Sequence, residues 1–232
     1  MRQEDESVVR TLPIFEDMRD ENVSFLLTAS YLQGFPAKME LIQQGNRADF
    51  LHVILEGHVE AFSKHGDRET TVSVLGPGDC FILAAVFLDQ VYLKSARTLS
   101  PSRLLLLPAD SVRRAFGRDP AFANRIATEL ARGYRSLVKE INNLKLRTSL
   151  ERLANWILLQ ASGSSPETSF TFPFDKKTLA AKLGVTPEVL SRNFVSLIAY
   201  GVTVRGKSVI VRNRAILEEF AKPTPLIDDA SI

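Results

Sequence analysis

The sequence has one cysteine and three histidines in 232 residues, and these shortages exclude several kinds of site. Cys80 is too few for an internal disulfide, a four-cysteine iron–sulfur cluster or a cysteine-rich zinc site. No histidine follows His65, so a Ser/His/Asp triad cannot be completed in the rest of the chain. A cupin-type metal enzyme fails for a similar reason, because His52 and His58 are not spaced as its ligands are. We therefore predict a protein that is not an enzyme and has no catalytic or metal-ligating residues.

Long apolar runs are also missing. Runs such as "LLLLP" after Arg103 are far too short to span a bilayer, and the N-terminus "MRQEDESVVR" is acidic where a signal peptide is basic and then apolar. We predict a cytoplasmic protein with no membrane partner. With 45% hydrophobic and 24% charged residues the composition is that of a globular protein, and 232 residues favour two domains.

Charge is distributed unevenly, although the net charge is only +2. Residues 1–144 contain 17 basic and 19 acidic residues, residues 145–215 contain 11 and 4, and the remainder contains 1 and 4. Such a basic segment is typical of a module that binds a polyanion, because neutralised phosphates release counterions. A solvated basic face is the alternative, and charge alone does not decide between them.

The first half has the pattern of a small antiparallel β-barrel or sandwich. Glycines recur at roughly ten-residue intervals, and short alternating runs such as "DFLHVILEG" and "TTVSVLG" lie between them. Helical spacing precedes this region in "SVVRTLPIFEDMRDENVSFLLTAS", and Pro108 and Asp110 mark a turn into a short helix after it. We expect His52 and His58 on strands, with side chains on the same side.

The run "PAFANRIATELARGYRSLVKEINNLKLRT" predicts a long helix with Pro120 in its first turn. Its apolar positions recur in steps of four and three, which is the spacing of a heptad seam. The seam residues are Leu130, Tyr134, Leu137, Ile141 and Leu144. This seam favours a parallel homodimer, whereas packing of the helix on its own barrel is the alternative.

The second half reads as a winged helix-turn-helix. A helix in "LERLANWILLQASG" ends near Gly163, and the loop "SGSSPET" leads to a strand in "SFTFPF". Asp175 and Gly184 mark the two ends of the next helix, and Thr186 with Pro187 begins another. The run "VTVRGKSVIVRN" then alternates on both sides of a basic tip, which predicts a hairpin. Two short helices, a tight turn and a following hairpin make this motif.

The second of these helices, in "TPEVLSRNFVSL", carries polar residues on one side. Their spacing projects Glu188, Ser191 and Arg192 from the exposed face, and such helices place their N-terminal residues against base edges. Arg can donate twice to guanine, Glu can accept from the cytosine amine, and Ser can do either or contact a thymine methyl. The alternative is that Glu188 favours the helix dipole and pairs with Arg192. The residues expected on the buried side are Leu190, Phe194, Leu197 and Ile198.

With these motifs, nearly the whole chain resembles the Crp/Fnr family of bacterial transcription regulators, and Glu188, Ser191 and Arg192 match the E-x-x-S-R motif of its Fnr-like branch. The resemblance implies an α+β fold with an N-terminal cyclic-nucleotide-binding-like β-roll, a long dimerisation helix and a C-terminal winged helix-turn-helix. We assign residues 1–117 to the β-roll and 118–147 to the dimerisation helix. Residues 148–222 are assigned to the winged helix-turn-helix and 223–232 to a flexible tail.

The resemblance also implies a homodimer that binds double-stranded DNA at a palindrome close to TTGA-N6-TCAA. Arg192 would contact the guanine, Glu188 the opposite-strand bases, and Ser191 the outer thymine. RNA polymerase is the implied protein partner, and the resemblance implies an activator, although the sequence itself leaves activation and repression open. Candidate phosphate contacts are Lys176, Lys177, Thr186, Arg205 and Lys207.

Cyclic-nucleotide members of the family hold ribose and phosphate with a glutamate and an Arg-Ser pair after a Gly-Asp turn. In this sequence the glutamate position falls on Leu83 or Ala84, and the pair has become Lys94 and Ser95. Because no side chain can then bond the ribose hydroxyl, we do not expect cyclic AMP as the ligand. The cysteine cluster of the oxygen-sensing branch is absent as well.

The apolar segment after this turn resembles the nitric-oxide-responsive NnrR and DNR branch of the family, which implies haem as a sensor cofactor. The candidate effector pocket contains Phe81, Ile82, Leu83, Phe87, Lys94 and Ser95. Its apolar members could equally be barrel core. The candidate cofactor ligands, His52, His58 and Cys80, could be ordinary strand, surface or buried residues. A regulator without effector, controlled by abundance or oxidation, is the alternative.

Overall fold

The computed structural model describes residues 3–161 and 167–229. The chain divides into two compact units, and the boundary between Gly133 and Tyr134 falls inside one helix. The predicted loop around Gly163 lies largely outside the described residues, as do the last three residues of the predicted tail, 230–232.

The first unit is an antiparallel β-roll with helices at both ends, as the sequence predicts. Helices α1 (Gln3–Arg10) and α2 (Asp20–Thr28) flank a 3-10 turn at Pro13–Phe15. The strands are β1 (Tyr31–Phe35), β2 (Glu40–Ile42), β3 (Phe50–Glu56), β4 (Val59–His65), β5 (Arg68–Leu75), β6 (Cys80–Phe81), β7 (Ser95–Thr98) and β8 (Ser102–Pro108).

The eight strands form two four-stranded sheets in the orders β1-β8-β3-β6 and β2-β7-β4-β5. Four successive residues of β3, positions 51–54, are buried, so both faces of this strand are covered. Leu51, Val53 and Leu105 have no exposed surface. The core of the roll therefore runs along β3 and its neighbour β8.

Helices α3 (Leu83–Leu88) and α4 (Ala109–Arg118) complete the roll, and α3 begins at an unusual backbone position. Ile82, directly before it, has φ +76° and is nearly buried. A β-branched side chain is strained in this left-handed region, so the packing around the Ile82 side chain must offset the backbone cost.

Helix α5 (Pro120–Leu146) is the predicted long helix and is continuous across the boundary between the two units. Asp119 precedes it, and its carboxylate accepts from the amides of Ala121 (3.1 Å) and Phe122 (3.2 Å), which satisfies free donors of the first turn. Phe122 and Ile126 are fully buried in the core of the first unit. The apolar residues from position 130 onward are exposed.

The second unit contains the predicted winged helix-turn-helix, with a three-stranded antiparallel sheet in the order β10-β11-β9. Its helices after α5 are α6 (Ser149–Gln160), α7 (Lys176–Lys182), α8 (Pro187–Ser196), α9 (Arg214–Ala221) and α10 (Pro225–Asp228), with a 3-10 turn at Leu197–Tyr200. Its strands are β9 (Thr168–Thr171), β10 (Val202–Arg205) and β11 (Ser208–Val211).

Local sequence explains where these helices begin. Thr148 and Glu151 form a capping box at the start of α6, and Asp175 accepts from the Thr178 amide (2.8 Å) at the start of α7. The core of the unit is built around Trp156, whose ring lies 5.7 to 6.2 Å from those of three phenylalanines near β9.

Three details differ from the sequence-based expectations. His58 lies in the turn between β3 and β4 and is exposed, so of the two histidines expected on strands only His52 lies on one. Ile198 is 60% exposed, because α8 gives way after Ser196 to a 3-10 turn, whose shorter period rotates this residue away from the core. The segment after Pro223 contains the short helix α10, where a frayed tail was expected.

Candidate nucleic-acid interface and sensor residues

Helix α8 presents the three predicted base-reading residues on its exposed side. Glu188, Ser191 and Arg192 are all solvent-accessible, whereas Leu190 and Phe194 are buried in the core of the second unit. The helix therefore has one packed face and one free polar face. A free polar face on the second helix of a helix-turn-helix is the surface that such motifs insert into the major groove.

The start of α8 is fixed by its N-terminal residues and by the turn before it. Gly184 has φ +65° and ends the preceding helix, with its amide donating to Ala181 O (3.1 Å). Thr186 Oγ1 accepts from the Val189 amide (3.4 Å), and Pro187 occupies the first helical position. This cap directs the first turn of α8, and with it Glu188, outward.

Glu188 is held in its charged form. The pKa of its carboxyl is lowered, first by a hydrogen bond from the Thr186 side chain and to a smaller extent by the positive charge of Arg192. No ion pair between Glu188 and Arg192 occurs among the residues described. An ionised Glu188 is an acceptor suited to the exocyclic amine of cytosine, and the Arg192 guanidinium keeps its donors available.

Cations lie at two further places on the second unit. Lys176 and Lys177 are exposed in the first turn of α7, and Arg205 and Lys207 flank the turn of the β10–β11 hairpin. The Lys176 ammonium lies 5.8 and 5.7 Å from two ring centroids, those of Phe172 and Phe194. Thr186 differs from these candidates, because its hydroxyl already serves the helix cap and Glu188.

Residues that sequence reasoning did not identify hold the reading helix in place. The Asn193 amide donates to Ser149 Oγ (3.1 Å), which joins α8 to α6. Arg152, buried in α6, donates to the carbonyls of Leu183 (3.0 Å) and Arg147 (2.7 Å). An arginine inside the apolar run "LERLANWILL" was the available signal, since buried arginines need acceptors.

The C-terminal part of α5 reaches the same turn. A Cβ placed on Gly184 would lie 3.2 Å from Leu144 Cδ2, so this seam residue packs directly against the turn between α7 and α8. Burial lowers the pKa of Lys182 in α7, and the charge of Glu140 in α5 partly offsets this. Leu144 thus contacts the reading motif as well as belonging to the predicted seam.

The five seam residues of α5 form an exposed apolar stripe. Tyr134 is 70% exposed, Leu137 55% and Ile141 50%, with Leu130 and Leu144 somewhat less. Two heptads of apolar residues facing solvent on a long helix are an unsatisfied surface. Phe122 and Ile126, nearer the start of the same helix, are buried in the core of the roll.

Several of the predicted effector residues take part in the packing of the first unit. Phe81 and Leu83 belong to the core of the roll, and Phe87 packs against Phe116 with ring centroids 4.9 Å apart. Ser95 is buried, and its hydroxyl accepts from the Gln44 amide (2.9 Å).

Lys94 is the predicted pocket residue with an unusual environment. Burial lowers the pKa of its ammonium, and it has no ion-pair partner within the described part of the chain. An open cleft of about 780 Å³ in the first unit includes His52 but none of the six predicted pocket residues.

The three candidate cofactor ligands were tested against the chemistry of haem. His52 is stacked on Phe81 (4.9 Å), and burial lowers its pKa to about 4, so its imidazole is neutral; with only 5% of its surface exposed, it leaves little room for an iron to approach. Burial raises the pKa of the Cys80 thiol to about 12, so the thiolate that haem ligation requires is not preformed. His58 is exposed in a turn. These residues do not fit haem.

The residues that the structure describes contain no group of three or more His, Cys, Asp or Glu side chains that could hold a metal ion. Within the same ranges no helix is long and apolar enough to cross a membrane.

Comparison with known proteins identifies both units separately. Residues 32–119 match the model of the cyclic nucleotide-binding domain, and residues 151–220 match that of the Crp-like helix-turn-helix domain. The cyclic AMP receptor protein of Thermus thermophilus is 29% identical over 212 residues, which cover 90% of this chain and 96% of that protein.

Solved structures show the same fold. FixK2 from Bradyrhizobium japonicum is 20% identical with a TM-score of 0.71 and covers 84% of this chain and 98% of its own. The sensor domain of DNR from Pseudomonas aeruginosa is 19% identical with a TM-score of 0.51 and covers 56% of this chain and 87% of its own. At these identities the likeness extends to the fold and not to the effector.

Proposed function

The chain belongs to the Crp/Fnr family of transcription regulators, and from this premise we propose that it is a homodimer that recognises a palindrome close to TTGA-N6-TCAA. The single observation that supports this specificity most directly is the exposed set Glu188, Ser191 and Arg192 on the free face of α8. It matches the E-x-x-S-R motif of the Fnr-like branch residue by residue.

Each member of this set has a distinct role in the proposed complex. Arg192 donates two hydrogen bonds to guanine O6 and N7, and the ionised Glu188 accepts from the base amine on the opposite strand. Ser191 faces the outer thymine. Arginine is required at position 192, because a lysine ammonium cannot offer two donors in a fixed plane.

The phosphate contacts position the protein without reading sequence. We assign them to exposed cations at the start of α7 and at the wing tip: Lys176, Lys177, Arg205 and Lys207. These surround the reading helix in sequence and belong to the segment with 11 basic and 4 acidic residues. Thr186 makes a weaker candidate, since its hydroxyl is used within the protein.

Dimerisation is supported by the exposed stripe on α5. A second copy of the helix would cover Tyr134, Leu137 and Ile141, as a and d residues do in a parallel coiled coil. The two reading helices would then meet half-sites about 34 Å apart, one turn of DNA. RNA polymerase is the proposed protein partner at the promoter, and the cytoplasm is the proposed location.

We propose that the sensor responds to something other than cyclic AMP, although the relative from Thermus thermophilus is named for that ligand. Leu83 or Ala84 stands where a ribose-binding carboxylate is needed, and neither side chain can accept a hydrogen bond from the ribose hydroxyl. Haem-based nitric oxide sensing finds no fitting ligand in His52, His58 or Cys80. Control by abundance, without effector, is therefore the second candidate.

The test is equilibrium binding of the full chain to a TTGA-N6-TCAA duplex, measured by fluorescence anisotropy against a duplex with both guanines replaced. Arg192→Ala should lose about 1–3 kcal/mol per half-site and most of the discrimination at that base pair. Arg68→Ala, which removes an exposed arginine of the first unit, is the matched control. Equal binding by wild type and Arg192→Ala would refute the assignment.

The effector is tested in the same assay. Cyclic AMP should leave the affinity unchanged, and protein incubated with haem and then separated from unbound haem should carry no Soret band. A cyclic AMP response or a stoichiometric Soret band would contradict this part of the proposal while leaving the reading residues intact.

A further inference from the structure

An apolar side chain continues the polar reading face of α8. Val195 is 68% exposed, three residues after Arg192 and four after Ser191, so it lies on the same side of the helix one turn further on. Single exposed apolar residues are common on protein surfaces. This one is notable for its place, because it extends the face that meets DNA under the proposed function.

The packed face of α8 does not account for Val195. Leu190 and Phe194 fill the core of the second unit, and Asn193 is bonded to Ser149 of α6. Val195 points away from these contacts and remains open. A partner that approaches Ser191 and Arg192 therefore also covers Val195. The group that Val195 contacts must then belong to the same partner that Ser191 and Arg192 bind.

The major groove offers one apolar group, the C5-methyl of thymine. From Arg192 to Val195 a helix rises about 4.5 Å, which corresponds to little more than one base pair. A reading helix with Glu188 and Arg192 at the G·C pair thus carries Val195 toward the flanking A·T pairs. Valine suits a methyl contact, because its branched side chain is stiff and loses little rotamer freedom on burial.

We propose that Val195 is a further specificity-determining residue, which packs against a thymine methyl in each half-site. This inference rests on the proposed function, because it takes the reading face of α8 to lie in the major groove. It assigns to α8 an apolar contact in addition to the polar contacts of the E-x-x-S-R set. Affinity would then depend on a thymine methyl group, which makes no hydrogen bond.

The experiment removes the methyl from the DNA and the side chain from the protein. Each thymine of TTGA-N6-TCAA is replaced in turn by deoxyuridine in both half-sites, and binding of the full chain is measured for wild type, Val195→Ala and Val195→Thr. For wild type, one replacement should weaken binding about fourfold per half-site, the worth of one methyl-sized apolar contact. Val195→Ala should bind the thymine duplex more weakly and be insensitive to that replacement, whereas Val195→Thr, which keeps one methyl, should retain part of the sensitivity.

Ile198→Ala is the matched control, since Ile198 is a similarly exposed aliphatic residue beyond the end of α8. It should keep the full sensitivity to deoxyuridine. The proposal is overturned if wild type ignores every replacement, or if Val195→Ala responds to deoxyuridine as wild type does. Arg192→Ala distinguishes failure of this proposal from failure of the proposed function. If Arg192→Ala binds as wild type does, or if wild type binds no duplex specifically, the proposed function itself fails.

Discussion

Arg147 and Asp228 form a two-point ion pair, with Arg147 Nη1 and Nη2 donating to the two carboxylate oxygens at 2.7 and 2.6 Å. Both side chains are close to buried, at 8% and 13% exposure. Arg147 lies between α5 and α6, and Asp228 ends α10, where it also accepts from the Thr224 amide (2.7 Å). The C-terminal segment is thereby attached to the junction that leads from the seam helix into the DNA-binding motif.

Asp228→Asn should destabilise the second unit. The substitution leaves the Arg147 guanidinium buried without a counter-charge, and breaking a buried pair in this way costs about 3 kcal/mol. Urea unfolding of the full chain, followed by the fluorescence of Trp156, measures the change because that tryptophan lies in the core of the same unit. Glu219→Gln, which removes an exposed charge, should have almost no effect. A stability loss no larger than that of the control would show that the pair contributes little.

How far the sequence predicts this architecture depends on the range of the interactions involved. The long helix α5, the caps at Asp175 and Thr186, and the wing follow from periodicity and turn chemistry, which are local, and the structure contains all of them. The Arg147–Asp228 pair was missed, because its members lie far apart in sequence and the segment after Pro223 has no strong helical pattern. From sequence alone, a terminal segment with few apolar residues is interpreted as a frayed tail. Only its contacts elsewhere in the chain show that it is ordered.

The sensor residues illustrate a second limit. Phe81 and Leu83 read equally as pocket lining or core, since both environments require apolar side chains, and the structure puts them in the core. His58 was expected on a strand, but β3 and β4 are joined by a turn that includes it. The alternation of apolar and polar residues cannot show whether a residue next to a turn belongs to the strand. If the turn is shifted by one position, that residue lies outside the sheet.

Acid should weaken the first unit through His52. Its pKa in the folded protein is lowered to about 4 by burial, from an ordinary value of 6.5. As the pH falls from 6.5 toward 4 the unfolded chain takes up a proton that the folded chain does not, so stability present above this window is lost within it. The slope from this residue is at most about 1.4 kcal/mol per pH unit.

His52→Gln should remove that contribution. The measurement is the free energy of unfolding at several pH values between 4 and 7.5, and the informative quantity is the difference in slope between wild type and variant, since carboxylates titrate in both. His65→Gln, at an exposed position, should keep the wild-type slope. Parallel curves for wild type and His52→Gln would mean that His52 is accessible to protons in the folded state.

The seam prediction concerns Leu137, which is 55% exposed on α5. Leu137→Glu should convert the dimer to a monomer, because a charge at a d position of a coiled coil must be desolvated against its symmetry mate. Light scattering after size exclusion measures the mass, and circular dichroism should show an unchanged fold. Ser136→Glu adds the same charge outside the seam and should remain dimeric. A dimer that survives Leu137→Glu would mean that another surface forms the interface.

The wing prediction concerns Arg205 and Lys207, which flank the β10–β11 turn and are exposed. Each contact to a phosphate contributes about 0.9 to the slope of log K against log salt, so removing one residue from both subunits should lower the slope by about 2. Lys207→Ala should weaken binding to specific and unrelated duplexes by the same factor, since phosphates carry no sequence information. Arg192→Ala, in contrast, should weaken binding to the specific duplex most and lose discrimination at one base pair. If Lys207→Ala changes the preferred base at any position, the wing contributes to sequence recognition. The assignment of phosphate contacts to the wing and base contacts to α8 would then be wrong.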